Sequence, residues 1–282
     1  MRLARYCNRI YLERQIHRFS SPVTRNTELT ASPYINKFFT TNRNVFASSR
    51  MSRNSPQAGR WRDVDAYTMS HGHPASRSNA QMLRDTMSAC DAAGLPKISL
   101  SEAQAKFLSL HCRAAGVTRA LEVGTLGGYT AIWLTSQNPQ LHLTTIEYDL
   151  HHYNTAKKNI EHAGLTDRIE VIHGVAYDVM LRICEEVRSG KPPFEFVFID
   201  ADKVNNWNYL NIAKDMCKKN TAICVDNIVR YGALVNFDDK DSSLQGCREV
   251  VEKAGEEPGL DSVVLQTVGE KGYDGWLWVV VS

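Results

Sequence analysis

The feature that most constrains this chain is a regular alternation of strand-like and helix-like patterns between residues 119 and 225. Short apolar runs alternate there with longer segments in which apolar residues recur every three or four positions. A strand that is apolar on both faces is typical of a parallel sheet covered by helices on both sides. The predicted strands are Arg119–Val123, His142–Ile146, Ile169–Ile172, Phe194–Ile199 and Ala222–Val225. The predicted helices between them are Tyr129–Ser136, His151–Ala163, Tyr177–Arg188 and Asn206–Cys217.

Segments on either side of this region complete a predicted α/β fold. Outside the alternating region, helices are predicted at Ala80–Ala93, Ser101–Ala115 and Leu244–Ala254. Two final apolar runs, Ser262–Val268 and Trp276–Val281, are joined only by a loop at Gly269–Gly275. Because a connection this short does not cross over a sheet, these runs are predicted to form an antiparallel hairpin.

Net charge divides the chain near residue 62. Residues 1–62 contain twelve Lys and Arg and only two acids, whereas residues 63–282 carry a net charge of −8. An Arg-rich, acid-poor leader is typical of a mitochondrial transit peptide, although a disordered tail or a basic arm has a similar composition. We therefore predict a basic leader over residues 1–62 and one domain over residues 63–282. The predicted location is cytoplasmic, or mitochondrial if the leader is a transit peptide.

Composition argues against several other classes of protein. No apolar run approaches the roughly 18 residues that cross a membrane, and the acidic body offers no continuous positive surface for nucleic acid. The seven cysteines are scattered without a Cys-x-x-Cys pair, which argues against a disulfide scaffold and against structural zinc. We therefore expect neither a membrane nor a nucleic-acid partner. The pairs His71/His73 and His151/His152 are expected to be solvated, the first pair in a loop.

A glycine-rich turn follows the first predicted strand. The sequence Leu-Glu-Val-Gly-Thr-Leu-Gly-Gly-Tyr-Thr at 121–130 ends that strand and opens a helix, and glycine lets the backbone approach a ligand there. The dinucleotide pattern Gly-x-Gly-x-x-Gly fails, because Leu126 and Tyr129 occupy its second and third glycine positions. Glu147 ends the next strand, where its carboxylate can accept hydrogen bonds from a ribose diol. The turn therefore predicts a nucleoside ligand, and a tight turn without a ligand is the alternative.

Acidic and amide side chains follow two later strands. Asp200 follows the fourth predicted strand, and Asp226 and Asn227 follow the fifth. The carboxyl ends of parallel strands form the ligand-binding edge of such a sheet. These three residues supply only oxygen ligands, which a hard cation such as Mg²⁺ prefers. With Lys203 nearby they predict a cation site, and helix capping by the two aspartates is the alternative.

Three segments together resemble the cation-dependent, S-adenosylmethionine-using O-methyltransferases, the family that includes caffeoyl-CoA and catechol O-methyltransferases. They are Leu-Glu-Val-Gly-Thr-Leu-Gly-Gly-Tyr-Thr at 121–130, Phe-Ile-Asp-Ala-Asp-Lys at 198–203 and Val-Asp-Asn-Ile-Val-Arg-Tyr-Gly at 225–232. The resemblance covers the chain from Ile98 to the C-terminus. It implies a class I methyltransferase fold, with a Rossmann-like, seven-stranded, mostly parallel sheet, helices on both faces and a terminal antiparallel hairpin.

The resemblance also implies roles for individual residues. The divalent cation, Mg²⁺ or else Mn²⁺ or Ca²⁺, would be held by Asp200, Asp226 and Asn227. S-adenosylmethionine would contact Ile98, Glu122, Gly124, Thr130, Glu147, Ala176 and Asp200. Lys203 would be the catalytic base, and the substrate would contact Asp202, Arg230 and Tyr231. The pocket wall is expected around Trp61–His73, Tyr231–Asp241 and Tyr273–Trp276.

The function implied by the resemblance is methyl transfer from S-adenosylmethionine to a hydroxyl of a small catechol-like or phenolic acceptor. It also implies a homodimer and a place in secondary metabolism. The segment after Asn227 lacks the tryptophan-containing sequence of the plant caffeoyl-CoA enzymes, which weakens the case for a coenzyme A ester. A nearby cation and a sulfonium are expected to lower the pKa of Lys203 and so favour its neutral form.

Two other functions stay open at this point. One is an NAD(P)-dependent reductase on a similar sheet, which the failed dinucleotide pattern disfavours. The other is a catalytically silent methyltransferase-fold interaction module, which the intact acidic residues and Lys203 disfavour.

Overall fold

The computed structural model describes residues 56–282, and at its centre lies a seven-stranded sheet with the order β3-β2-β1-β4-β5-β7-β6. Strands β1 to β5 pair in parallel, and β7 runs antiparallel to both β5 and β6. The strands are β1 (Arg119–Val123), β2 (His142–Glu147), β3 (Ile169–His173), β4 (Phe194–Ile199), β5 (Cys217–Val225), β6 (Leu260–Gly269) and β7 (Gly272–Val281). This confirms the predicted mostly parallel sheet with a terminal antiparallel hairpin.

Eight α-helices surround the sheet in the described part of the chain. They are α1 (Pro56–Gly72), α2 (Ala80–Ala92), α3 (Glu102–Ala114), α4 (Tyr129–Gln137), α5 (Leu150–His162), α6 (Ala176–Arg188), α7 (Asn206–Asp215) and α8 (Ser242–Glu256). Two short 3₁₀ helices, Lys203–Asn205 and Arg230–Val235, follow β4 and β5. Ser101 begins α3 with a capping box, in which its side chain and that of Gln104 each accept a hydrogen bond from the other's backbone N–H.

Successive residues of the central strands face two separate apolar layers. In β4, Phe196 and Phe198 pack with helices α2 to α5, whereas Val197 and Ile199 pack with α6 to α8. All four side chains are essentially fully buried. Burying an apolar side chain of this size contributes roughly 1.5–3 kcal/mol, so the strand is held from both sides. This is the physical origin of the doubly apolar strand pattern.

The first helix, α1, was not predicted from the sequence. It begins at Pro56, inside the segment 1–62 assigned to the basic leader, and few apolar residues mark it as a helix. Its position is instead set by the β6–β7 turn, where Asp65 accepts a hydrogen bond from the Glu270 backbone N–H at 2.7 Å. Residues 1–55 of the predicted leader lie outside the described part of the chain.

Three other predictions need correction. The predicted loop at 269–275 is shorter, because β6 ends at Gly269 and β7 begins at Gly272, whose φ of +105° suits a tight turn. Strand β5 begins at Cys217, which had been placed at the end of a helix. His73 lies in the predicted loop but is not solvated: its ring packs on Trp133 with centroids 4.4 Å apart, and burial lowers its pKa, while His71 lies in α1 instead of the loop.

No helix in residues 56–282 is long and apolar enough to cross a membrane. Of the cysteines, Cys90, Cys112, Cys184, Cys224 and Cys247 are buried free thiols and Cys217 is half-buried.

One contact between α8 and the turn after β4 gives a test of the packing. A Cβ at Gly246 would overlap the carbonyl oxygen of Lys203, so Gly246→Ala should lower the free energy of unfolding by about 1–3 kcal/mol. The matched control is Gly255→Ala in the same helix, where a Cβ meets no atom within 4 Å. That variant should gain roughly 0.5–1 kcal/mol, since alanine favours a helix. Urea unfolding measures both, and equal stability of the two variants would contradict the packing described.

Candidate active site

Two acidic residues lie side by side because three neighbouring strands end at the same level. Ile199 of β4 pairs with Val123 of β1 on one side and with Val225 of β5 on the other. The next residues, Asp200 and Asp226, continue this pairing, since their backbone N–H groups donate to the Val123 and Ile199 carbonyls at 2.8 and 2.9 Å. Both aspartates therefore lie at the carboxyl edge of the sheet, where ligands bind in folds of this kind.

Gly124 lets β1 and β4 approach each other at this edge. Its φ is +100°, a region that residues with a Cβ rarely adopt. A Cβ at this position would also overlap the carbonyl oxygen and carbon of Asp200. Any side chain at position 124 would therefore displace Asp200.

Glu147 ties the glycine-rich turn to the end of β2. Its Oε2 accepts hydrogen bonds from the backbone N–H groups of Thr125 and Leu126, at 3.2 and 2.8 Å. Its Oε1 accepts from the backbone N–H of Asp149 at 2.8 Å. The carboxylate predicted to bind a ribose thus also holds the shape of the turn.

A buried carboxyl group lies behind this turn. Glu122 is 1% exposed, and its Oε2 accepts a hydrogen bond of 2.6 Å from the Thr145 hydroxyl. Burial raises the pKa of Glu122 to about 8, and the negative charges of Asp200 and Glu147 act in the same direction. Three carboxyl groups therefore share this end of the sheet, and a positively charged ligand would be favoured there.

Asp226 is the most enclosed of the predicted cation ligands. It is 3% exposed, and burial followed by the charge of Asp200 raises its pKa. Its Oδ1 accepts hydrogen bonds from the Trp276 indole N–H at 2.8 Å and from the Asn227 backbone N–H at 2.7 Å. Within the described chain, no hydrogen bond ends on its Oδ2. One carboxylate oxygen of Asp226 is thus held in place and the other is available to a ligand.

The donor set fits a hard cation rather than zinc. Asp200, Asp226 and Asn227 supply two carboxylates and one amide oxygen, and none of the three side chains carries sulfur or imidazole. Residues 56–282 contain no group of three or more His, Cys, Asp and Glu side chains arranged for a metal.

Lys203 makes an ion pair with the first of these carboxylates. Its Nζ donates to Asp200 Oδ1 at 2.7 Å, and its side chain is only 13% exposed. Burial alone would lower the pKa of Lys203, but the charges of Asp200 and Asp226 outweigh it and raise the pKa. This is opposite to the predicted direction, because that prediction counted a cation and a sulfonium, whereas the residues by themselves present only carboxylates.

A cavity of about 1440 Å³ opens over this edge of the sheet. Seven of the predicted site residues line it: Ile98, Asp202, Lys203, Asp226, Asn227, Arg230 and Tyr231. The remaining predicted residues lie off the cavity wall. Glu122 and Glu147 are in strands β1 and β2, and the turns and helix starts after β1, β3 and β4 carry Gly124, Thr130, Ala176 and Asp200. The structure thus separates the site into a wide cavity and an adjoining strand edge with the glycine-rich turn.

Asp202 has a local structural role in addition to its position on the cavity wall. One of its oxygens accepts a hydrogen bond from the Tyr209 hydroxyl, and the other accepts from Asn205 Nδ2 at 2.6 Å. These contacts hold the 3₁₀ turn that carries Lys203. Its contact with substrate stays a prediction.

Asp274 and Trp276 lie in the expected pocket wall, but no role for either was predicted from the sequence. Both line the cavity, and Trp276 contacts Asp226 directly. One available signal was that Asp274 is the single acidic residue in the otherwise apolar or small β7 segment Gly272–Val281. Of the other expected wall segments, Tyr231–Asp241 is anchored to α8 by Arg248, which donates to the carbonyls of Leu234 and Asn236.

Comparison with known proteins shows which family this chain resembles. A model of the O-methyltransferase family matches residues 73–272. The chain is 43% identical over 246 residues to the O-methyltransferase imqG of Aspergillus flavus, which covers 86% of this chain and 98% of that protein. It is 39% identical over 223 residues to a catechol O-methyltransferase of Mycobacterium tuberculosis, and this alignment covers 78% of this chain and 95% of that protein.

A solved structure leads to the same family. The O-methyltransferase of Bacillus cereus in complex with SAH superposes with a TM-score of 0.73 at 38% identity, covering 79% of this chain and 99% of that one. The family model and the long alignments all indicate the same family, which is the family that the sequence segments resemble. This chain belongs to the O-methyltransferase family.

Proposed function

We propose that this protein transfers a methyl group from S-adenosylmethionine to a hydroxyl of a small catechol-like or phenolic acceptor, with the help of a divalent cation. The observation that carries the proposal is the meeting of Asp200, Asp226, Asn227 and Lys203 at one sheet edge, beside a glycine-rich turn. A family relative is a catechol O-methyltransferase and a solved relative holds SAH, which supports both the acceptor class and the methyl donor.

The methyl donor would bind at the glycine-rich turn. S-adenosylmethionine carries positive charge on its sulfonium and its ammonium, and the negative charges of Glu147 and Asp200, which help to raise the pKa of Glu122, lie at this end of the sheet. Glu147 would accept hydrogen bonds from the ribose hydroxyls through lone pairs that its three backbone donors do not use. Thr130 in the first turn of α4, Ala176 at the start of α6 and Ile98 on the cavity wall would enclose the rest.

The divalent cation would bind to oxygens of Asp200, Asp226 and Asn227. The free Oδ2 of Asp226 and the absence of sulfur and nitrogen donors from the set fit Mg²⁺, and Mn²⁺ or Ca²⁺ would use the same ligand types. When bound, such a cation lowers the pKa of a phenolic hydroxyl and fixes the orientation of a vicinal diol. The cavity wall formed by Phe107, Leu265 and Trp276 offers apolar surface to an aromatic ring.

Lys203 would accept the proton of the reacting hydroxyl. It lines the cavity and lies next to Asp200, so its Nζ is within the region that the acceptor would occupy. A divalent cation bound to Asp200 and Asp226 would offset the two negative charges that raise the pKa of Lys203. A lower pKa favours the neutral amine that a base requires. The acceptor oxygen then forms a bond to the methyl carbon, the sulfur–methyl bond breaks, and S-adenosylhomocysteine leaves. Holding the two reactants in register supplies much of the rate.

The other two functions considered from the sequence are less well supported. Hydride transfer has no need for the oxygen-only set at the strand ends, and the relatives are named methyltransferases rather than reductases. A silent interaction module would have no need for an enclosed Lys203 paired with Asp200.

The first test is a methyl-transfer assay with labelled S-adenosylmethionine and a panel of vicinal diphenols and single phenols. We expect transfer to the vicinal diphenols in Mg²⁺, loss of transfer in EDTA, and recovery when Mg²⁺ is added back in excess. Single phenols should react far more slowly, because they offer the cation one oxygen. Full activity in EDTA would contradict the cation's role, and label transfer to none of the panel would contradict the acceptor class.

The second test separates proton transfer at Lys203 from its charge and its packing. Lys203→Met keeps the aliphatic stem and removes the amine, and should lower kcat by about 10²–10⁴-fold while changing the Kd for S-adenosylmethionine little. Lys203→Arg is the matched variant that keeps the positive charge, and its guanidinium does not give up a proton. It should also lose activity if Lys203 is a base. A Lys203→Arg enzyme with the kcat of the wild type between pH 6 and 9 would contradict that role.

A further inference from the structure

The carboxylate of Asp274 on β7 accepts four hydrogen bonds, three from the segment that follows β5 and one from its own chain neighbour. Oδ1 of Asp274 accepts from the backbone N–H groups of Val229 and Arg230, at 3.0 and 2.9 Å, and from that of Gly275 at 2.8 Å. Oδ2 of Asp274 accepts from Nδ2 of Asn227 at 3.3 Å. One oxygen therefore binds backbone, and the other binds the side chain of a proposed cation ligand.

The segment that Asp274 holds has an unusual backbone. Asn227, Arg230 and Tyr231 all have positive φ values, of 58°, 50° and 58°. L-residues with a side chain rarely adopt this region, so such a conformation persists only where surrounding contacts fix it. The N–H groups of residues 229 and 230 point to one acceptor, Asp274 Oδ1, which identifies the contact that fixes this turn.

The hairpin is shaped to receive this segment. A Cβ at Gly272 would overlap the Tyr231 hydroxyl, and a Cβ at Gly275 would overlap a Val229 methyl group. The backbone N–H of Ile228 also donates to the Gly275 carbonyl at 3.0 Å. The glycines on either side of Asp274 thus bring the segment close enough for the carboxylate to bind it.

The bond from Asn227 decides which atom of its amide faces the cavity. An amide group has one donor end and one acceptor end. Because Nδ2 of Asn227 donates to Asp274, its Oδ1 is directed to the other side, and no hydrogen bond from the described residues ends on that oxygen. Asn227 lines the cavity beside Asp226. Only the oxygen of an amide binds a hard cation, so the orientation of this amide matters for the proposed site.

We propose that Asp274 is a positioning residue for the cation: it fixes the Asn227 amide with the oxygen toward Asp226 and the nitrogen away. This inference rests on the proposed cation site and goes beyond it by assigning the orientation of one ligand to a residue in the last strand. Groups that orient ligands in this way commonly change metal affinity by about 10–100-fold when they are replaced.

The test uses the fact that Oδ1 of Asp274 binds backbone N–H groups, whereas its Oδ2 binds the Asn227 side chain. In Asp274→Asn, the remaining carbonyl oxygen still accepts from the backbone N–H groups, while the new amide nitrogen faces Asn227. The Asn227 amide must then turn over to accept from it, which directs its NH₂ group at the cation site. We expect Mn²⁺ alone, titrated by electron paramagnetic resonance, to bind about 10–100-fold more weakly than in the wild type. The affinity for SAH measured without a cation should stay the same.

A reciprocal exchange provides the rescue. The double variant Asp274→Asn with Asn227→Asp restores a matched donor and acceptor, again presents an oxygen to the cation, and keeps the total charge of the wild type. Its Mn²⁺ affinity should return to within a few-fold of the wild type. Asp261→Asn, an exposed position on the same hairpin, removes the same charge and should leave the affinity unchanged.

Each outcome is decisive. Wild-type Mn²⁺ affinity in Asp274→Asn would overturn the inference, and so would an equal loss in the single and double variants. If neither variant folds, Asp274 acts on the fold rather than on the amide, and the inference is also overturned. If Asp274→Asn is unfolded and the double variant folds and binds Mn²⁺, the pairing is supported. Absence of Mn²⁺ binding in the wild type would instead contradict the cation site itself.

Discussion

The close approach of β1 and β4 at Gly124 is the constraint on which the rest of the site depends. Because position 124 has no Cβ, its backbone lies against the Asp200 carbonyl, and the ladder continues one residue past each strand. That continuation brings Asp200 beside Asp226 and places Lys203, one turn later, against the same carboxylates. The glycine-rich turn is held at the same edge by Glu147. The turn proposed to bind the methyl donor and the proposed cation site are thus neighbours, because Gly124 lets the ends of β1 and β4 lie side by side.

Buried carboxyl groups are the second feature of this edge of the sheet. Glu122 and Asp226 are almost fully enclosed and both have raised pKa values, while Lys203 is the cation paired with Asp200. Carboxylates gathered in a place of low polarity are unfavourable unless positive charge joins them. A sulfonium and a divalent cation would supply that charge. The same groups that disfavour the unliganded site would therefore favour the reactants of methyl transfer.

Much of this could be predicted from sequence, for reasons that differ between elements. The parallel strands show doubly apolar patterns because helices cover both faces, and β1 and β4 were predicted with their observed bounds. Helix α1 escaped prediction because its position depends on the Asp65 contact with a turn some 200 residues away, which leaves no local periodicity. The role of Asp274 was not predicted for a similar reason, since its partners after β5 lie 44 to 47 residues earlier in the chain. The direction of the Lys203 pKa differed because neighbouring carboxylates dominate it in the protein alone.

We propose that Asp200, Asp226 and Asn227 form one cation site at the strand ends. Anomalous diffraction from crystals grown with Mn²⁺ and SAH tests it most directly. We expect one strong peak at about 2.0–2.6 Å from an oxygen of each of these three side chains, next to the ligand at the glycine-rich turn. A strong peak at other residues, or none at this edge in crystals of enzyme shown to be active, would contradict it.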